Sequence, residues 1–76
     1  MNASGLFKSP FRVDEHLEAL INRRLGNRVR DLRVVKREGG LVLYGRASTY
    51  HAKQLAQHAA MEVSDLPILA NEIEVF

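Results

Sequence analysis

The stretch Glu38-Gly39-Gly40-Leu41-Val42-Leu43-Tyr44-Gly45-Arg46-Ala47-Ser48 decides how this chain folds. It reads as a tight turn, a strand, and the first cap of a helix. Gly39 and Gly40 are expected to supply the positive φ values of a hairpin turn, which folds the Leu32–Lys36 run back antiparallel. Along the strand, Leu41 and Leu43 take one face while Val42, Tyr44 and Arg46 take the other. Gly45 allows a packed helix or another backbone to come close, and Ser48 can accept a hydrogen bond from a helical N–H.

Upstream of this stretch, Val13, Leu17, Leu20, Ile21 and Leu25 stand at helical spacing and form the apolar stripe of an amphipathic helix. Asp14, Glu15 and Glu18 in its first turns and Arg23 and Arg24 in its last match the helix dipole. Gly26-Asn27 ends it with a left-handed cap. Leu32 and Val34 then alternate with Arg33 and Val35 as a short strand. Downstream, Ser48 or Thr49 caps a second helix whose stripe is Ala52, Leu55, Ala56, Ala59 and Val63, with Ala60 beside it. Ser64-Asp65 and Pro67 stop it. In the last strand Leu69, Ile73 and Val75 alternate with Ala70, Glu72 and Glu74; Asn71 falls on the inward parity, so its amide is expected to be paired. The order is helix, strand, strand, helix, strand: an α+β two-layer sandwich, αββαβ, with two helices on one face of a three-stranded mixed sheet. Residues 1–12 are expected to be a flexible lead-in with a turn at Ser9-Pro10, and 13–76 a single domain.

Composition narrows the function classes. The chain has 76 residues, no cysteine and 46% hydrophobic residues, so its core is aliphatic packing without disulfide or cysteine–zinc support. No charged leader followed by an apolar run opens it, and no apolar stretch approaches the roughly 18 residues of a membrane span. A cytoplasmic location is the default expectation; a periplasmic or membrane-peripheral one applies if the chain is cut from a larger protein. Net charge is +2 but unevenly spread. Arg23, Arg24, Arg28, Arg30, Arg33, Lys36, Arg37 and Arg46 face only Asp31 and Glu38 in their segment, whereas Glu62, Asp65, Glu72 and Glu74 outweigh Lys53 afterwards. Such a dipolar layout favours an anionic partner or head-to-tail self-contact.

The pattern Gly39-x-Leu41-x-Leu43-x-Gly45, followed by a helix carrying Lys53, Ala56 and Ala59, resembles the centre of the BON domain, a family named after bacterial osmotic-shock and nodulation proteins. Asp65-Leu66-Pro67-Ile68-Leu69-Ala70-Asn71-Glu72-Ile73-Glu74-Val75 is similar to the family's ending, Gly-Val-x-x-Val-x-Asn-x-hydrophobic-x-Val, with Asp65 where the family usually has glycine. The likeness runs from about Val13 to Val75. It implies an αββαβ fold and a non-enzymatic module associating with phospholipid membranes or cell-envelope assemblies.

The residues themselves carry no sign of an enzyme. Ser48 reads as a cap, and Asp14, Glu15 and Glu18 as dipole partners. His51 and His58 lie seven apart, not at the i, i+4 spacing of a helical metal pair, and no cofactor or metal is expected. His58 and Glu62 can pair on the helix surface. Arg23, Arg24, Arg28, Arg30, Arg33, Arg37 and Arg46 are the candidate contacts for an anionic lipid surface or other anionic ligand. Tyr44 is the single aromatic residue among them, which disfavours a nucleic-acid module, though that reading stays as an alternative. Val35, Val42 and Tyr44, on the sheet face left open by the helices, are the candidate protein-interaction patch, with a homodimer as one outcome. Gly39, Gly40, Gly45, Ser48 and Asn71 are assigned structural roles.

Overall fold

The computed structural model describes residues 11–76. The Ser9-Pro10 turn and most of the expected lead-in lie outside those residues. Phe11–Val13 form a strand, β1. Asp14 then adopts extended dihedrals as the N-cap of helix α1 (Glu15–Leu25), its Oδ1 accepting the Leu17 N–H at 3.0 Å. This placement corrects the helical stripe: Val13 belongs to β1, pairs with Val35 and is 50% exposed. A cap residue in extended conformation cannot be preceded by helix, so the stripe starts at Leu17. Leu17, Ile21 and Leu25 are buried, with Leu20 packed beside them.

Strands β2 (Val29–Arg37) and β3 (Gly40–Ala47) are antiparallel across the two-residue turn Glu38-Gly39. Only Gly39 has the positive φ expected of the glycine pair, at 94°. Gly40 is already the first residue of β3, and its missing side chain serves another purpose. A Cβ there would collide with the Pro67 carbonyl oxygen and lie 2.9 Å from Leu69 Cγ. β2 starts three residues before the expected Leu32 because a bulge interrupts it. Asp31 has φ 54°, and the register with β3 shifts between Arg30 and Arg33. The extra residue lets Val29 and Leu32, three apart, both face inward. Gly45 lies against this bulge: a Cβ would come within 2.9 Å of Val29 Cγ1 and 3.0 Å of the Arg30 carbonyl oxygen. Its close neighbour is the adjoining strand, not a helix.

Helix α2 (Tyr50–Val63) is capped by Thr49, whose Oγ1 accepts the Ala52 N–H at 3.0 Å. Ser48 is exposed and does not cap. Ala52, Ala56, Ala59 and Ala60 are buried. Strands β4 (Ile68–Asn71) and β5 (Glu74–Val75) both run parallel to β3, one after the other along the same side. The sheet order is β1-β2-β3-β4, with β5 also on β3. The expected three strands thus become five, because β1 extends the edge and the last strand is in two pieces.

A second register shift, between Leu41/Ile68 and Val42/Ala70, leaves Leu69 as the extra residue. Ile68 turns to the core in its place, and Leu69 is 49% exposed. Val75, expected inward, is 44% exposed at the end of the chain, whereas Ile73 is inward at 1%. Asn71 is paired: its Nδ2 donates to the Lys53 carbonyl (2.9 Å) and Gln57 Oε1 (3.3 Å), and its Oδ1 accepts the Ile73 N–H (3.2 Å). One side chain therefore ties α2 to the β4–β5 junction. The two helices and the inward residues of β2 and β3, among them Val34, Leu41 and Leu43, form one cluster, so both helices cover the same face. The α+β two-layer class follows directly.

Candidate functional site: the uncovered sheet face

No helix of the described residues covers the second face of the sheet. Register places its side chains in rows across the strands. One row is Val13, Val35, Val42 and Ala70, drawn from all four strand positions. Val42, at its centre, is 3% exposed yet stands outside the core cluster, and Val35 and Ala70 are half-buried. The next row places Arg33 opposite Tyr44. Glu72 flanks Tyr44 on the other side, because Leu43 pairs with Asn71 and Arg46 with Glu74. The third row is Arg30, Arg46 and Glu74. Arg46 lies over the Phe76 ring, 5.1 Å from its centroid, a cation–π contact. Arg30 and Arg46 are like charges directly opposite one another, an unfavourable cross-strand pair.

The seven arginines expected as one anion-binding set do not form a single cluster, although Arg23 and Arg33 line one groove at the α1–β2 edge and Arg24 and Arg28 another beside α2. Arg30, Arg33, Arg37 and Arg46 belong to β2 and β3, and strand alternation sets their positions on the open side, but the Arg33 guanidinium turns back over the β2 edge towards Glu18 of α1. Arg23 and Arg24 belong to α1 in the other layer, and Arg28 to the connection after it. Arg24 pairs with Glu62 at 2.6 Å, which takes Glu62 away from the expected His58 contact. Arg28 Nη1 donates to the Leu25 carbonyl at 2.9 Å and so caps the end of α1. Arg33 Nη1 donates to the Leu32 carbonyl at 3.0 Å and stands 4.0 Å from Glu18 Oε1. Glu18 has its own work at the β2 edge, where its Oε2 accepts the Val34 N–H at 3.0 Å.

Val35, Val42 and Tyr44, by contrast, are brought together as expected, because adjacent strand positions on one face must meet. Sequence reasoning missed Leu69 as a member of this face, since the bulge that turns it outward leaves no mark in residue alternation. It also passed over a shallow groove along α2 that includes Tyr50, Gln54, Gln57 and Met61. Tyr50 and Met61 are 62% and 57% exposed there. Their i, i+4, i+7, i+11 spacing was the available signal. His16, His51 and His58 are exposed, and the described residues hold no group of three or more His, Cys, Asp or Glu side chains placed for a metal ion. No helix among them is long and apolar enough to cross a membrane.

No protein-family model matches the chain, and no curated protein or solved structure is significantly similar to it.

Proposed function

We propose that this chain is a non-enzymatic binding and assembly module of BON type whose contact surface is the open sheet face, and that its partner is a protein. The observation that carries this reading is the apolar row Val13–Val35–Val42–Ala70, uncovered by either helix and bordered by Tyr44 and by rows of charge. An apolar centre within a charged rim is the anatomy of a protein interface. The succession α1-β2-β3-α2-β4 is the element order that the BON resemblance implies, and Gly45 and Asn71, two of the positions that carry the resemblance, make close structural contacts.

An anionic lipid surface suits the same face less well. Glu72 and Glu74 stand beside the arginines there and would meet lipid head groups of their own sign. Arg24 is paired with Glu62, and Arg23 and Arg28 belong to α1 and the connection after it, outside the rows of the open face. The test is a photo-cross-linking residue in place of Tyr44, compared with one in place of Tyr50 on the helix layer, in the cell that makes the protein. Adducts to protein from position 44 and none from position 50 are expected. Absence of adducts at 44, together with salt-sensitive sedimentation on anionic vesicles, would overturn the protein reading in favour of lipid.

A further inference from the structure

The geometry points to a second copy of this chain as the partner, packed face to face about a two-fold axis parallel to β3; the inference rests on the open face being a binding surface. The open face is organised symmetrically about that strand. β2 lies on one side of β3, and the β4–β5 line on the other. At the level of Tyr44 these flanks carry Arg33 and Glu72; at the level of Arg46 they carry Arg30 and Glu74. A half-turn about β3 exchanges the flanks and preserves position along the strands. It therefore sets Arg30 of each copy against Glu74 of the other, and, once the Arg33 side chain swings from Glu18 to the open face, Arg33 against Glu72, giving four charge pairs. On the axis Tyr44 meets Tyr44, Val42 meets Val42 and Arg46, which lies over its own Phe76 ring, meets Arg46 as a like pair, while Val35 of each copy covers Ala70 of the other. Two sheets packed at about 10 Å with nearly aligned strands bring these side chains into reach.

Other two-fold arrangements lack this complementarity. An axis running across the strands at the valine row would place the Arg33 row against Arg37. An axis lying between β2 and β3 would place Arg30 against Arg46. Only the axis along β3 matches basic flank to acidic flank, and an isologous interface needs such self-complementarity. The charges are available for it. Arg30, Glu72 and Glu74 have no ion-pair partner among the described residues. Arg33, whose side chain is 59% exposed, has to leave the Leu32 carbonyl and Glu18, 4.0 Å away, to reach Glu72 of the second copy. Glu74 of the second copy, set against Arg30, offsets the Arg30–Arg46 repulsion within one copy. Arg46 itself is drawn aside by the Phe76 ring.

Charge swapping tests this arrangement. One variant carries Arg30→Glu and Arg33→Glu, so that both flanks are acidic; a second carries Glu72→Arg and Glu74→Arg, so that both are basic. Circular dichroism confirms that each is folded; should the first fail because of its proximity to Glu18, Arg30→Glu alone takes its place. Sedimentation equilibrium is expected to show a dimer for the unaltered chain. Each variant alone should self-associate at least about tenfold more weakly, since like charges are now juxtaposed. An equimolar mixture should recover a one-to-one dimer, because every acidic flank meets a basic one. An unaltered chain that stays monomeric overturns the inference, as do variants that dimerise undiminished or a mixture that stays monomeric. The cross-linker at position 44 separates the two failures: adducts to a different protein sink the self-association and keep the binding face, whereas no adduct at all sinks the binding face.

Discussion

The two faces of this sheet are made from similar β-branched and aliphatic residues, but they are finished differently. The covered face holds Val34, Leu41 and Leu43 at 0% exposure beneath leucine, isoleucine and alanine from two helices, and no charged residue enters it. The open face holds a single apolar row and then changes at once to arginine, tyrosine and glutamate. Covering a sheet requires uninterrupted apolar area, about 25 cal/mol for each Å² removed from water. The open face interrupts that area with charge every second residue. The first face holds the fold together, whereas the second leaves Val13, Leu69 and Tyr44 40–50% exposed.

This contrast can be broken from the covered side first. Leu43→Ala and Ile21→Ala remove fully buried side chains and should each cost about 2–5 kcal/mol, read as the loss of unfolding midpoint in urea. On the open face Tyr44→Ser should leave stability within about 1 kcal/mol and abolish association instead, read by the same melt and by sedimentation. Equal stability losses on the two faces would erase the distinction. Asn71→Ala is intermediate: it leaves the Lys53 carbonyl, Gln57 Oε1 and the Ile73 N–H without their partner and should cost about 1–3 kcal/mol. Thr49→Ala should cost about 1 kcal/mol while Ser48→Ala stays within about 0.5 kcal/mol, which checks the cap assignment. Smallest is Arg24→Ala. Its pair with Glu62 is more than half exposed on both sides, so less than about 1 kcal/mol is expected in a thermal melt.

The helices were legible because their stripes, Leu17 to Leu25 and Ala52 to Ala60, repeat at the helical period and are bounded by caps. The β2–β3 hairpin was legible from its glycines, and the pairing of Asn71 from its parity. What escaped did so where a local rule is suspended. β1 has three residues, too few for any period to show. The bulges at Asp31 and Leu69 each insert one residue, so alternation carried across either one points to the wrong face until the partner strand is known. Gly39 and Gly40 are alike in sequence, and only the approach of Pro67 separates a turn glycine from one that gives room to a neighbouring strand. Of the candidate site, Val35, Val42 and Tyr44 were found because strand neighbours must share a face. The arginines were read as one group because they are close in sequence, yet the chain passes from helix layer to sheet layer between Arg28 and Arg30 and divides them.

In the proposed dimer the open face, and not the helix layer, meets the second copy. Isotope-filtered NOE spectroscopy on a mixture of labelled and unlabelled chains reads it directly. Intermolecular contacts are expected between Tyr44 rings, between Val42 methyls, and from Val35 to Ala70. Intermolecular contacts from Tyr50 or Met61 on α2, or none at concentrations where the chain is dimeric, would contradict it.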